Sequence, residues 1–492
     1  MIKKNLAAIS LIAAYAAIIL IAGCIPEDSL QWSKDGSRGL YSKDGALFIV
    51  DGATGSLIQV AAKQTTTPWP AISQDGTFIA YGQVINVGSF NDALKLLPST
   101  QTREIRAHAE VLKRKILRDG LINGNLPPIS KTKDSFNQQH INWVHRYLVE
   151  NADDALAGRI GEDLIKKIRQ KELKLYQLVA ATVSAYNTGK VLATSSQMLW
   201  RIRFSPDSKL IAYVTDRAAG KTFEAGFDLY VVSQTENIPA VFVEPATAIG
   251  YDFRPDSKAI AYTKPVDTNF DNKKFILGSL VERTIVKPTG EVFASPAAGD
   301  GSEFPTVYTC TGPVKELAGV VYYSCMFLYY ARDNRIFFSS AKMSFPSSKL
   351  DTEKGTVFCY DPITGAVGEV LHQTALDFTQ GNFYLFTPSL NSRKILLPGN
   401  KNTLGVYLLG QDINSSKIVV DANEGFSDNS PPKLVAAWKG AEEFSCLVSQ
   451  DSHFLTNNPN TPYHRKEIVI FDAQGNIKQV LSRNWHSELL EF

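Results

Sequence analysis

The sequence has few cysteines, no large excess of charge of one sign, and none of the short motifs that mark the commonest catalytic and cofactor sites. Its 492 residues include five cysteines but no Cys-x-x-Cys pair, which argues against zinc and thioredoxin-like redox sites. Gly-x-Ser-x-Gly, His-Glu-x-x-His and Gly-x-Gly-x-x-Gly are all missing, which argues against the hydrolases, peptidases and dinucleotide-binding proteins that carry them. We therefore expect no metal, no cofactor and no catalytic residue.

The net charge of +2 conceals an uneven distribution along the chain. Residues 91–174 hold 16 Lys and Arg against 11 Asp and Glu, whereas the chain outside this segment, Lys3 and Lys4 has a net charge of −5. Basic and aromatic residues do not interleave as nucleic-acid binding requires, so we expect no nucleic-acid partner. The sequence predicts an acidic main domain that carries a basic segment.

A short motif recurs along the chain, in which a Ser-x-Asp-Gly-type corner separates two apolar stretches. The corner residues are Asp35, Asp75, Asp207, Asp256 and Asp451, with weaker copies at Asp333 and Asn391. Asp and Ser bond to a turn's own backbone and Gly tolerates positive φ, so the corner predicts a hairpin turn and not acid–base catalysis. A repeat this short cannot bury its apolar faces alone, and its recurrence predicts stacked units with a shared core.

Short β-prone runs without helical period surround these corners. The second run of a unit is seen at 78–81, 210–213 and 259–262. The third run is seen at 47–51, 228–232 and 468–472, and the fourth at 56–60 and 476–480. Four strands per unit, joined by tight turns, predict the blade of a β-propeller.

Two copies of the motif carry a family resemblance. Phe-Ser-Pro-Asp-Ser-Lys-Leu-Ile-Ala-Tyr at 204–213 and its counterpart at 253–262 resemble the WD40-like (PD40-type) repeats of TolB-like propellers. The resemblance implies an all-β propeller of four-stranded blades over residues 32–492. Counting the corners, we predict seven blades, with six or eight as alternatives because residues 281–325 are poorly patterned.

The first 23 residues have the features of an export signal. Lys3 and Lys4 precede an apolar run at 6–21 that ends in Gly23-Cys24, which resembles a bacterial lipobox. The resemblance implies cleavage after Gly23, lipid attachment at Cys24 and a short tether over 24–31. The location is then the cell envelope, at the outer membrane in a Gram-negative organism. The alternative is an uncleaved membrane anchor, since the run approaches the ~20 residues that a span needs.

The remaining four cysteines allow two interpretations in an exported protein. Cys310 and Cys325 flank a predicted hairpin, and we favour a disulfide between them. The alternative is that the cysteines are buried free thiols within strands, as Cys359 and Cys446 suggest.

Within the second unit, residues 91–175 show helical spacing instead of strand patterning. Apolar stripes at 105–116, 136–148 and 160–175 predict an insertion of two or three helices. The plain interpretation is a small helical core. The alternative hypothesis is that basic residues of the insertion contact a partner or anionic lipid headgroups. These residues are Arg114, Lys115, Lys166, Lys167, Arg169 and Lys171.

The resemblance specifies the fold better than the function, because propellers of this kind serve as binding scaffolds, peptidase lids and a few enzymes. We predict a lipid-anchored, non-enzymatic binding or scaffold protein with other envelope proteins as partners. The alternative is a propeller enzyme acting on polysaccharide or glycan with residues gathered at the channel mouth. A convergent cluster of His, Arg and carboxylates would favour the enzyme.

Overall fold

The computed structural model describes sixteen stretches of the chain. They are residues 29–43, 45–62, 65–129, 136–218, 226–236, 239–266, 277–285, 308–321, 327–344, 349–377, 387–389, 394–398, 403–408, 417–421, 435–451 and 464–481. The predicted signal segment, Gly23 and Cys24 lie outside these residues. The first strand begins at Ser29, so the last three residues of the predicted tether belong to the first sheet.

Twenty-nine strands are described. They are β1 (Ser29–Trp32), β2 (Arg38–Lys43), β3 (Ala46–Asp51), β4 (Leu57–Ala61), β5 (Ala71–Ile72), β6 (Phe78–Val87), β7 (Leu173–Thr182), β8 (Lys190–Ser195), β9 (Leu199–Phe204), β10 (Leu210–Asp216), β11 (Phe227–Ser233), β12 (Val241–Thr247), β13 (Tyr251–Phe253), β14 (Ala259–Pro265), β15 (Leu277–Thr284), β16 (Tyr308–Thr309), β17 (Val314–Val321), β18 (Leu328–Tyr330), β19 (Ile336–Ser344), β20 (Lys349–Tyr360), β21 (Val367–Asp377), β22 (Thr387–Pro388), β23 (Lys394–Pro398), β24 (Thr403–Leu408), β25 (Lys417–Asp421), β26 (Val435–Lys439), β27 (Glu443–Asp451), β28 (His464–Asp472) and β29 (Ile477–Val480).

These strands form sheets that follow chain order. Sheet 1 is β1–β4, sheet 2 β5–β8, sheet 3 β9–β12 with β16, sheet 4 β13–β15 with β17, sheet 5 β18–β21, sheet 6 β22–β25 and sheet 7 β26–β29. The fold is an all-β propeller of four-stranded antiparallel blades, as predicted. The prediction of seven such blades is wrong: among the described residues six sheets have four strands. Sheet 3 has a fifth, because β16 pairs in parallel with β12.

The chain divides into two compact units, Val60–Leu317 and Met1–Gln59 with Ala318–Phe492. In the second of these, sheet 1 packs on sheet 7. A shared apolar cluster includes Leu30, Val50, Ile468 and Leu481, and Trp32 Nε1 donates to Ser445 Oγ at 2.9 Å. Among the described residues, the first and last sheets are therefore joined by side-chain packing, and no strand of one sheet belongs to the other.

The corner motif works as its residue types indicate. Ser73 Oγ donates to Asp75 Oδ1 at 2.6 Å and accepts from the Phe78 N–H at 2.8 Å. Asp75 Oδ1 also accepts from the Thr77 N–H at 3.0 Å. The fourth corner residue has positive φ, +70° at Gly76, which explains the preference for Gly there. The Asp75 carboxylate is thus held in its turn. The prediction of a corner at Asp451 is wrong, because this residue ends β27 and pairs with His464 of β28.

Replacing Ser73 by Ala removes both of its hydrogen bonds at a buried position. We expect Ser73→Ala to lower the free energy of unfolding by about 1–2 kcal/mol. The matched control is Gln74→Ala at the exposed neighbouring position, which should change it by less than about 0.5 kcal/mol. Urea denaturation followed by fluorescence measures both. Equal stability of the two variants would show that the serine does not hold the corner.

Between β6 and β7 the chain forms helices α1 (Phe90–Ala93), α2 (Ser99–Asp119), α3 (Gln138–Glu150), α4 (Asp154–Ile160) and α5 (Glu162–Arg169). The third apolar stripe, predicted as one helix, is divided at Gly161, where φ is +82°, and its last residue Leu175 lies on β7. The helices enclose a core of their own around Trp143, which is fully buried. No helix among the described residues is both long and apolar enough to cross a bilayer.

Candidate functional site

The first turn of α2 is attached to the loop between sheets 2 and 3. Gln101 Oε1 accepts from the Ser196 N–H at 2.8 Å and from Ser196 Oγ at 2.9 Å, and Gln101 Nε2 donates to Ser195 Oγ at 3.3 Å. Both serines are buried. These contacts place the residues that follow Gln101 on α2 over the end of sheet 3.

The start of α3 is attached to the same region. Asn137 caps the helix by accepting from the His140 N–H at 2.7 Å. Its Nδ2 donates to Gln197 Oε1 at 2.7 Å and to the Arg217 carbonyl oxygen at 2.6 Å. One side chain therefore both starts the helix and fixes His140 relative to the residues after β10.

A cavity of about 230 Å³ lies between these two helix starts and sheet 3. It is lined by Thr100, Gln101, Glu104, Ile105, His140, Ser196, Gln197, Thr215, Asp216, Ala218, Asp228, Tyr230, Phe242 and Thr309. Its volume falls below the ~300–1,000 Å³ usual for drug-sized ligands. The cavity can therefore receive a small ligand or part of a larger one.

Asp216, the last residue of β10, is one of three carboxylates at the cavity. Burial raises the pKa of its carboxyl to about 7, although Trp200 Nε1, which donates to Oδ1 at 2.8 Å, favours the ionised form. A carboxyl that is protonated near neutral pH becomes a strong acceptor for a cation once it loses its proton.

Asp228 and Glu104 complete the acidic group. Burial raises the pKa of Asp228 to about 6, against the opposing effect of Arg217, whose Nε lies 3.2 Å from Asp228 Oδ1. The side chain of Glu104 is exposed at the mouth of the cavity. Surrounding protein atoms partly desolvate its carboxyl and raise its pKa, and the negative charge of Asp228 raises it further. Among the described ion pairs, Arg217 is the one basic partner of these three carboxylates.

An aromatic wall lies beside Asp228 on the same face of sheet 3. Tyr230 and Phe242 line the cavity, with ring centroids 5.3 Å apart, and Tyr213 stacks on Tyr230 at 5.3 Å. Burial raises the pKa of Tyr230 well above its usual value, so its hydroxyl stays neutral. Carboxylates and aromatic rings that line one cavity form a surface that attracts organic cations.

Two histidines meet beside the cavity. His108 Nδ1 lies 2.8 Å from His140 Nε2, and the ring of Phe136 packs on both imidazoles, at centroid distances of 4.5 Å and 5.2 Å. One ligand atom from each of Glu104, His108 and His140 lies within 4.8 Å of the other two. Burial lowers the pKa of His140 to about 3, so its imidazole is neutral at physiological pH.

The six basic residues predicted to contact a partner or a membrane lie in two groups within the insertion. Arg114 and Lys115 lie on α2, Lys166, Lys167 and Arg169 on α5, and Lys171 follows α5. All are exposed except the half-buried Lys115, and no ion pair described in the structure includes any of the six. Their proposed contact with a partner or membrane stays a prediction.

The described cysteines form no disulfide with one another. Cys310 is buried, with Sγ 3.5 Å from the Thr284 carbonyl oxygen, and Cys325 lies outside the described residues, so their pairing stays a prediction. Burial raises the pKa of Cys359 to about 11 and that of Cys446 to about 12. These two thiols are protonated at physiological pH and therefore unreactive.

Sequence reasoning missed the whole cavity. One signal was present: Glu104 and His108 are four residues apart, a spacing that places both on one face of a helix. Asp216 and Asp228 gave no signal, because a carboxylate at the end of a β-strand is common at exposed hairpins. Their importance comes from the insertion that covers them.

Comparisons with known proteins assign this chain to no family. No family profile matches the sequence, and no curated protein matches it. The β-propeller domain of the Trilobed protease from Pyrococcus furiosus is 10% identical, with a TM-score of 0.45 over 92% of this chain and 96% of that one. TolB from Acinetobacter baumannii is 14% identical, with a TM-score of 0.33 over 61% and 58%. An oligogalacturonate lyase in complex with manganese is 11% identical, with a TM-score of 0.42 over 78% and 76%.

Similarities this distant concern the fold alone. The class follows from the sheets of this chain: it is a β-propeller protein of four-stranded antiparallel blades. Its activity has to be argued from its own cavity.

Proposed function

We propose that the chain is a non-enzymatic binding protein of the cell envelope, anchored through lipid on Cys24, whose ligand site is the cavity between the helical insertion and sheet 3. The ligand is a small organic cation, such as an amine or a guanidinium group. The observation that carries this proposal is the convergence of Glu104, Asp216 and Asp228 on one small cavity with an aromatic wall.

The charges at the cavity favour a cation for a simple reason. Three carboxylates share one described basic partner, Arg217, and two of them have pKa values raised towards neutrality. A bound cation would stabilise their ionised forms and release the protons that they hold. Opposite charge, hydrogen bonds to ammonium or guanidinium N–H groups and the face of Tyr230 all favour the same class of ligand.

The test is calorimetric titration of the full chain with putrescine, agmatine and guanidinium, and with acetate as an anion of similar size. We expect binding of one or more of the cations and none of acetate. Asp228→Asn should weaken cation binding about 10-fold, because one charged hydrogen-bond acceptor is lost. Its control is Asp252→Asn, which removes an aspartate paired with Arg203 at 2.6 Å outside the cavity.

Two results would contradict the proposal. One is the absence of binding by all the cations at concentrations up to ~10 mM, the weak limit for a specific site. The other is equal affinity in Asp228→Asn and the parent chain, since the cation would then lie elsewhere.

One observation favours a second candidate, an enzyme acting on glycans. A buried carboxyl with a pKa of about 7 at Asp216, in a cavity that Asp228 also lines, is suited to general acid catalysis. Release of reducing ends from envelope polysaccharide by the parent chain, and its loss in Asp216→Asn, would favour the enzyme over the binding protein.

A further inference from the structure

We propose that Glu104, His108 and His140 bind a divalent transition-metal ion of the Zn²⁺ type. The three side chains offer two imidazole nitrogens and one carboxylate oxygen, all within 4.8 Å of one another. This set of donors is one that Zn²⁺ and its neighbours in the first transition series prefer. The site shares Glu104 and His140 with the lining of the proposed cation cavity, but the proposal rests on its own three donor atoms.

The distances suit a shared ion. Zn–N bonds are ~2.0–2.1 Å long, so two imidazole nitrogens on one metal stand about 3 Å apart. His108 Nδ1 and His140 Nε2 are separated by 2.8 Å, with the two rings nearly perpendicular at 86°. A small outward movement of either ring would lengthen this distance enough for both nitrogens to bind one ion.

The protein holds all three groups in position before any ion binds. Glu104 and His108 are one helical turn apart on α2, which runs without interruption over Ser99–Asp119. His140 lies in the first turn of α3, which Asn137 caps and attaches to the Arg217 carbonyl oxygen. Phe136 packs against both imidazoles. Preorganised ligands of this kind reduce the entropy lost on binding.

A hydrogen bond between two neutral histidines accounts for part of this arrangement. A hydrogen bond between two neutral imidazoles needs one N–H between the two nitrogens and does not require a nearby anion. The Glu104 carboxylate adds a third donor atom within 4.8 Å of a ring nitrogen of each histidine, which completes a donor set that a metal ion can use. The cluster is therefore better explained as a set of metal ligands.

Three protein ligands leave one position of a tetrahedral ion open. Glu104 and His140 line the cavity, whereas His108 does not, so the open position faces the cavity. A ligand in the cavity with a free donor atom would complete the coordination.

The test is titration of the full chain with Zn²⁺ by calorimetry, together with the visible absorption spectrum on addition of Co²⁺. We expect one tight site per chain. His108→Gln should weaken Zn²⁺ binding at least ~100-fold, since loss even of an outer-shell partner costs about 10–100-fold. Glu104→Gln changes an exposed side chain and should weaken Zn²⁺ binding by at least ~10-fold.

The matched control is His145→Gln on the same helix as His140. His145 is partly buried, lies outside the cluster, and should leave Zn²⁺ affinity unchanged. Absence of a tight site in the parent chain would overturn the proposal, as would unchanged affinity in both His108→Gln and Glu104→Gln.

The two proposals fail separately. Asp228→Asn should lower affinity for the organic cation and leave Zn²⁺ binding nearly intact, because Asp228 is not one of the three ligands. His108→Gln should do the reverse, because its side chain does not line the cavity. Loss of both activities in His108→Gln would mean that the metal proposal is wrong and that His108 acts by supporting the helices.

Discussion

Arg146→Met is expected to destabilise the helical insertion by about 3–5 kcal/mol, the usual cost of breaking a buried ion pair by removing one partner. Arg146 is 5% exposed, and its Nε donates to Glu150 Oε1 at 2.6 Å. Its other nitrogens donate to the carbonyl oxygens of Gly88, Ile168, Arg169 and Lys171. One guanidinium group thus connects the end of β6, α3 and the residues that end α5.

Glu150 extends the network to α1, because its carboxylate accepts from the Phe90 N–H at 2.9 Å. Methionine at position 146 keeps most of the side-chain volume but leaves Glu150 charged and several buried carbonyls unpaired. The measurement is thermal unfolding of the full chain together with hydrogen exchange of the helices. The double variant Arg146→Met/Glu150→Met should recover part of the loss, because no buried charge remains unpaired.

Arg118→Met is the matched control for this network. Arg118 pairs with Asp119 on the surface, with 75% of its side chain exposed, and its loss should cost less than about 0.5 kcal/mol. If Arg146→Met were no more harmful than this control, the buried network would not hold the insertion on the sheet.

Asp216→Asn is expected to have the opposite effect, making the protein more stable at alkaline pH. Because burial raises the pKa of Asp216 from 3.8 to about 7, the folded state binds more protons than the unfolded state between about pH 4 and pH 7. The contribution of Asp216 to the free energy of unfolding is therefore greatest at low pH and falls as pH rises through this window. Asparagine removes that penalty and can still accept from Trp200 Nε1.

A shift of about three units corresponds to about 4 kcal/mol. The Asp216 carboxyl keeps partial access to solvent through the cavity, so we expect about 2 kcal/mol for the gain of Asp216→Asn above pH 8. The gain should shrink towards zero as the pH approaches 4. Denaturant unfolding at several pH values, with a chelator present, measures the difference between variant and parent.

Asp207→Asn supplies the control of opposite sign. Burial opposes ionisation of this corner residue, but hydrogen bonds from Ser205 and the Lys209 backbone outweigh it and lower the pKa. Its stabilising effect is present at neutral pH and lost as pH falls, so the variant should be less stable than the parent at pH 8. A gain in Asp207→Asn, or no pH-dependent gain in Asp216→Asn, would contradict these assignments.

Local chemistry made much of the fold predictable. The Ser-x-Asp-Gly corners fix turns through contacts within five residues, such as Ser73 with Asp75 and Phe78. The runs at 228–232 and 468–472 accordingly lie within β11 and β28. Short-range hydrogen bonds of this kind can be predicted because the bonded residues are close neighbours in the sequence.

The number of four-stranded blades was less predictable. The strand β16 has two residues and joins sheet 3 through pairing with β12, more than sixty residues earlier in the chain. A strand so short has no internal pattern, and only the tertiary structure decides which sheet it joins.

The cavity was unpredictable for a related reason. It depends on Gln101 and Asn137 contacting the residues around Ser196 and Arg217, at separations of eighty residues or more. These polar contacts have no periodicity, so the sequence does not show that the insertion docks beside Asp216 and Asp228.

Binding of a cation in this cavity is tested most sharply by a crystal structure of the full chain with the tightest-binding of putrescine, agmatine and guanidinium, grown above pH 8. We expect the bound nitrogen atoms within hydrogen-bond distance of Asp216 or Asp228 and against the face of Tyr230. Density for the cation at any other place, with the cavity holding only water, would contradict it.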